Sequence, residues 1–77
     1  MDKQIAVIEK NALEQIRVGF SEFRRKTYLD VRVYAEFDGE TEHKPTKKGV
    51  SLRPDMLDEM IAALQQAKAE AVKAGLL

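Results

Sequence analysis

Lys44, Lys47 and Lys48 fall within five residues of one another, with Pro45 between them and Gly49 directly after. Pro45 lacks an N–H and holds its own φ, which suits a strand edge or a turn and not the interior of a ladder. Gly49 tolerates a positive φ or the close approach of a ligand's backbone. Val50 and Leu52 then alternate with Ser51, the period-two pattern of a short strand. The stretch 44–52 reads as an exposed basic turn running into a strand. Cations beside such a glycine suit a polyanion backbone; the plainer reading is a solvated loop tip. Two further places interleave cations with rings: Phe23 with Arg24, Arg25 and Lys26, and Arg32 with Tyr34. Unpaired nucleic acid needs both types, cations that track phosphates and flat apolar faces on which bases stack. The competing readings are core packing for Phe23 and Tyr34, and for Arg32 an ion pair with Asp30 or Glu36 on its own strand face.

Other chemistries find no support. The chain has no cysteine, and His43 is its single histidine, so neither a cysteine-based zinc site nor a multi-histidine site is available within one chain. Lys48-Gly49 is in the wrong order for a Walker-type phosphate loop and lacks the preceding glycine. Ser21 and Ser51 have no recognisable histidine base. Asp58-Glu59 sits at a solvated helix start, and His43 reads as an ordinary exposed residue. We expect no enzyme, no metal and no cofactor.

The elements that position these residues follow from periodicity. Gln4 to Glu9 is a short β-branched run, read as a strand, and Lys10-Asn11 as a break. From Ala12 to Phe23 two patterns compete. Ile16, Val18 and Phe20 alternate as in a strand, while Leu13, Ile16, Phe20 and Phe23 fit a helical stripe. Gly19 costs a helix about 1 kcal/mol relative to Ala, which favours a strand from about Glu14 onwards. Arg24 to Lys26 reads as a hairpin turn. Thr27 to Phe37 is the clearest strand, with Leu29, Val31, Val33, Ala35 and Phe37 on one face and Tyr28, Asp30, Arg32, Tyr34 and Glu36 on the other. Asp38-Gly39 is a strong hairpin dipeptide. Thr41 to Lys44 would be a short return strand and Lys48 to Leu52 another. Pro54 opens a helix whose first residues include Asp55, Asp58 and Glu59, suited to the positive end of its dipole. Leu57, Met60, Ile61, Leu64, Ala67, Ala71 and Val72 form one apolar stripe, and Gly75 ends it.

The 77 residues suffice for one small domain, and a chain this short gains from a disulfide, a metal or a partner chain. A helix from Pro54 to Ala74 is about 30 Å long, whereas a strand of ordinary length spans about 17–20 Å. A small sheet does not cover such a helix, so the stripe Leu57, Met60, Ile61 and Leu64 is expected to pair with the same helix of a second chain; the alternative is a helix lying on its own sheet with a frayed end. Lysine plus arginine and aspartate plus glutamate balance at 13 each. The distribution is uneven: residues 1–54 carry eleven bases and nine acids, residues 55–77 two and four. A neutral total therefore coexists with a positive face. No run of 18 apolar residues and no signal-peptide layout occurs, and the expectation is a soluble, cytoplasmic protein with no membrane partner.

In the order of these elements and in these residues the chain resembles the positive cofactor four family of transcriptional coactivators, in its compact single-stranded-DNA-binding domain and its small bacterial members. The resemblance rests on Phe23-Arg24-Arg25-Lys26, Leu29-Asp30-Val31-Arg32-Val33-Tyr34, Asp38-Gly39-Glu40 and Lys44-Pro45-Thr46-Lys47-Lys48-Gly49-Val50-Ser51-Leu52, followed directly by the helix. It covers about residues 13–72 of a single domain, 1–77, and leaves 1–11 as an additional strand. It implies an α+β fold, a curved antiparallel sheet of about four strands followed by one long C-terminal helix, paired through the helices into a homodimer. It further implies a groove for single-stranded or unpaired DNA with little sequence preference, serving transcription regulation or DNA replication and repair. By the same resemblance Phe23 matches a base-stacking aromatic, Arg32, Lys44, Lys47 and Lys48 match basic groove residues, and Pro45 and Gly49 match residues that shape the groove; Arg24 and Lys26 join the candidate site as the cations that flank Phe23. The partners implied are single-stranded DNA, a second copy and the transcription machinery, with a nucleoid association in a bacterial cell. An RNA ligand in the same groove, or a protein-interaction role for the helix face, remain the other readings.

Two positions depart from the family pattern. Ala35 stands where an aromatic often follows the tyrosine, although Phe37 lies two residues on. Arg25 stands where the turn usually has glycine, which implies either a different turn or about 1 kcal/mol of strain if φ stays positive.

Overall fold

The structure, a computed structural model, describes residues 1–37, 39 and 41–77. Four strands form one antiparallel sheet in the order β1-β2-β3-β4: β1 Lys3–Glu9, β2 Glu14–Phe23, β3 Lys26–Ala35 and β4 Lys44–Leu52. A 3-10 turn, Pro54–Met56, leads into helix α1, Leu57–Lys73. β1 is thus the first of four strands, not an addition to four.

The ambiguous segment 12–23 resolves as strand for a packing reason beyond helix propensity. A Cβ on Gly19 would stand 2.5 Å from the Lys3 carbonyl oxygen of β1, so only glycine lets the two backbones approach. At the β2–β3 hairpin Phe23 pairs with Lys26, and the two residues between them have φ of +52° (Arg24) and +68° (Arg25). Positive φ at both central residues is the signature of a two-residue type I′ turn. Arg25 therefore keeps the left-handed conformation that glycine would adopt freely.

The expected strand Lys48–Leu52 is the later part of one longer strand, β4, which begins at Lys44, while Thr41 to His43 of the expected return strand lie outside it. What looked like a turn is a bulge inside it. Arg32 pairs with Gly49 and Tyr34 with Pro45, so three residues of β4, Thr46 to Lys48, lie opposite Val33 alone. The Thr46 hydroxyl donates to the Val33 carbonyl at 2.8 Å and accepts from the Lys48 N–H at 3.1 Å, replacing backbone ladder bonds with side-chain ones. Pro45 is tolerated because β4 is an edge strand. β3 ends at Ala35, so Glu36 and Phe37 lie beyond it and Phe37 does not continue its face. Of the hairpin dipeptide, Gly39 has φ +80° and Asp38 lies outside the described residues, as does Glu40. A one-residue irregularity between Gln4 and Ala6 breaks the β1 ladder; bulges bend and twist the strands that carry them.

Register sorts the side chains into two faces, since cross-strand partners share a face. Ile16, Val18 and Phe20 of β2 join Leu29, Val31 and Val33 of β3 and Val50 and Leu52 of β4 on an apolar face. Gln15, Arg17, Gly19 and Ser21 join Tyr28, Asp30, Arg32 and Tyr34 on a polar face.

Leu29, 4 % exposed, is the one fully buried hydrophobic residue among those described. The helix does little to enlarge this core. The 3-10 turn abuts β3, while α1 runs on with hardly a contact to the sheet. Leu64 is 62 % and Ile61 49 % exposed, and Leu57 and Met60 are half-buried. The length argument for an uncovered helix fails in its premise, because β2 and β3 have 10 residues each, or about 33 Å. The stripe is uncovered because the helix leaves the sheet. The radius of gyration is 14.6 Å, against about 11.5 Å for a compact domain of this length. At its far end α1 closes with the Gly75 N–H on the Val72 carbonyl and the Leu76 N–H on the Ala71 carbonyl, around a Gly75 φ of +74°. That is the Schellman arrangement a glycine terminator makes.

Candidate nucleic-acid interface

The polar face runs the length of β3, from the hairpin at Lys26 to the bulge beside Tyr34, about 30 Å. At the hairpin end Phe23 is 62 % exposed, which removes the core-packing reading for it. The Arg24 guanidinium carbon lies 5.1 Å from the Phe23 ring centroid. The strained turn thus presents a ring and three exposed cations, Arg24, Arg25 and Lys26, at the tip.

Midway along, Arg32 is claimed from two sides. Its Nε and Nη2 donate to the Asp30 carboxylate at 2.9 to 3.2 Å, and its Nη1 donates to the Thr46 carbonyl at 3.0 Å. The hydrogen bond to Asp30, opposed by partial desolvation, raises the guanidinium pKa above its ordinary value. The ion pair weighed against a ligand role is therefore present, with Asp30 as the partner. It also ties β3 to the bulge.

At the far end Lys47 is exposed on the bulge, and Lys44 and Pro45 pair with Ala35 and Tyr34. Lys48 reaches the Glu14 carboxylate at 3.8 Å. Glu14 is held below the usual carboxylate range by hydrogen bonds from Lys10 and Asn11, with the Lys48 charge a smaller cause. Gly49 is demanded by β3: a Cβ there would stand 2.6 Å from the Val31 carbonyl oxygen and 2.9 Å from the Arg32 Cα. The bare backbone leaves Arg32 uncrowded on the polar face.

The structure therefore brings Arg32, Pro45 and Gly49 together, and holds Phe23, Arg24 and Lys26 at the opposite end of the same sheet. Ala35 lies in the row of Leu29, Val31 and Val33, so its small side chain takes nothing from the polar face. His43 is half-buried, not exposed. One residue that the sequence reading missed is Arg17. It is the cross-strand partner of Arg32, and its guanidinium carbon lies 4.3 Å from the Tyr34 ring centroid. The signal was the alternation of Gln15, Arg17, Gly19 and Ser21, which becomes a face only once the register to β3 is known.

Among the described residues there is no cluster of metal-ligating side chains and no helix long and apolar enough to cross a membrane. The chain is similar to solved structures along nearly its whole length. A PC4 homolog from Burkholderia pseudomallei matches with TM-score 0.79 and 34% identity, over 88% of this chain and 98% of that one. A bacteriophage T5 homolog of the eukaryotic transcription coactivator PC4, implicated in recombination-dependent DNA replication, matches with TM-score 0.71 and 25% identity, over 97% and 88%. MoSub1, in a complex with single-stranded DNA, matches with TM-score 0.63 and 32% identity, over 90% and 78%. No curated protein matches. The profile of the family described as Transcriptional Coactivator p15 (PC4), a family of coactivators and not of enzymes, matches residues 10–63. With most of its length inside that match, the chain belongs to the PC4 family of transcriptional coactivators.

Proposed function

We propose that this chain binds single-stranded or locally melted DNA, with little sequence preference, in a groove shared by the two copies of a homodimer. The observation that carries this reading is a continuous polar face with the Phe23 ring and cations at the hairpin end, Arg17 and Arg32 along it and the Tyr34 ring at the far end. Phe23 stacks a base, Arg24 and Lys26 hold phosphates beside it, Arg32 and Lys47 continue the track past Pro45 and Gly49, and Lys44, which pairs with Ala35, and Lys48, which reaches Glu14, join it from the edge strand β4. The relative crystallised with single-stranded DNA supports the ligand. The phage relative supports a role in DNA replication or repair, and the family one in transcription regulation, with the transcription machinery as a further partner.

Dimerisation through Leu57, Met60, Ile61 and Leu64 is part of the proposal. The exposed stripe of α1 and the expanded radius of gyration support it. The place of action is the cytoplasm, at the nucleoid in a bacterial cell. Contacts to phosphate and stacking on rings do not separate ribose from deoxyribose, so RNA is the second ligand to test.

Reversing two charges tests the track. Lys47→Glu with Lys48→Glu should weaken single-strand binding strongly and flatten its dependence on salt. Each lost phosphate contact removes about 0.7 from the slope of log K against log salt. Four of these six cations on phosphate at once give a starting slope of about −3. Unchanged affinity in the folded double variant would contradict the groove and leave the helix face, as a protein-interaction module, as the functional surface.

A further inference from the structure

Arg17 and Arg32 stand side by side on the polar face, yet their circumstances differ. Arg32 has a carboxylate on one side and a backbone carbonyl on the other, so its charge is balanced and most of its donors are taken. Arg17 donates Nε and Nη2 to the Gln15 side-chain oxygen, both at 3.2 Å. That partner is neutral. No carboxylate pairs with Arg17 among the described residues, and its other neighbour is the Tyr34 ring. The guanidinium is oriented by two partners and its charge is uncompensated.

A cavity of about 370 Å³ opens beside Arg17 and Tyr34, lined also by Gly19, Ser21, Asp30 and Gln4 among others. Gly19 contributes no side chain to it. Ser21 and Gln4 each offer both a donor and an acceptor, and Asp30 offers acceptors. Guanidinium planes and aromatic rings are the surfaces on which unpaired bases stack, and an arginine adds attraction for the neighbouring phosphate.

We infer that Arg17, held by Tyr34 and Gln15, is a central base-stacking contact of the polar face, and that the cavity beside it takes one unstacked nucleobase. This rests on the single-strand reading above and adds to it a residue and a base site.

The test uses the whole chain and a single-stranded oligonucleotide carrying one 2-aminopurine, a base whose emission reports stacking. Arg17→Lys keeps the charge and loses the plane. It should weaken binding by about fivefold or more, the low end of the cost of one lost stack, with the salt slope unchanged. The change in 2-aminopurine emission on binding should shrink with it. Arg17→Ala should lose more and lower the slope by about 0.7 as well. Thermal melting of both variants at the wild-type temperature would separate these effects from loss of fold. Arg17→Lys matching the wild type in affinity and emission would overturn the inference and leave the groove standing. A wild-type chain that binds no single strand would overturn both.

Discussion

The hairpin tip makes a prediction in which stability and binding move apart. Arg25 sits at φ +68°, a conformation that costs an L-residue about 1–2 kcal/mol. Arg25→Gly removes that cost. Against it stands the greater freedom glycine gives the unfolded chain, about 0.4–1 kcal/mol. The net is a stabilisation of about 0.5–1 kcal/mol per chain. For a domain of this size each kcal/mol shifts the melting temperature by about 4–8 °C, so the variant should melt about 2–8 °C higher. Arg25→Ala is the control, because it removes the same guanidinium and keeps a Cβ in the left-handed region. The difference between the two variants isolates the backbone from the charge. Both should bind single-stranded DNA less well than the wild type, since each loses a cation beside Phe23. Thermal unfolding followed by circular dichroism at fixed protein concentration reads the first effect, and oligonucleotide titration the second. If Arg25→Gly melts at or below Arg25→Ala, the turn is not strained and the type I′ geometry is wrong.

Leu64 is 62 % exposed in the single chain, so Leu64→Asp should act chiefly where a second helix covers it. Sedimentation should show a monomer or unfolded chain, and a folded dimer of that variant would remove the stripe from the interface. Glu14 has its pKa lowered in the fold by Lys10 and Asn11, so its contribution to stability is present above the ordinary glutamate value of about 4.3 and fades as pH falls through the lowered folded value. Glu14→Gln should therefore flatten the fall in melting temperature below about pH 4.3. An acid limb identical to that of the wild type would show that the cluster of Lys10, Asn11 and Lys48 around it is not maintained.

Much of the fold was legible because its patterns are local. The alternation of Leu29, Val31 and Val33 against Asp30, Arg32 and Tyr34 set the two faces of β3, and Pro54 and Gly75 marked the helix ends. The bulge was not legible. Pro45 and Gly49 are turn-formers in isolation, and nothing local says that the Thr46 hydroxyl will bond the Val33 carbonyl and let the strand continue. Arg17 was hidden for a related reason. Its meaning depends on a partner seventeen residues away, and the pairing of Gln15 with Tyr34 is a matter of register. Arg32 shows the opposite case, where the on-strand spacing to Asp30 correctly announced the ion pair that now shares its guanidinium.

The claim that a strand of unpaired DNA lies along the polar face is tested most directly by one titration. A fluorescent single-stranded oligonucleotide of about twenty nucleotides, longer than a typical single-strand footprint, is compared with its duplex and with an RNA copy at two salt concentrations. Salt-sensitive binding to the single strand, tighter than to the duplex, is the predicted result, and comparable or tighter binding to the RNA copy would make RNA the ligand of the same face. No binding at low salt, or binding that favours the duplex, would contradict the account.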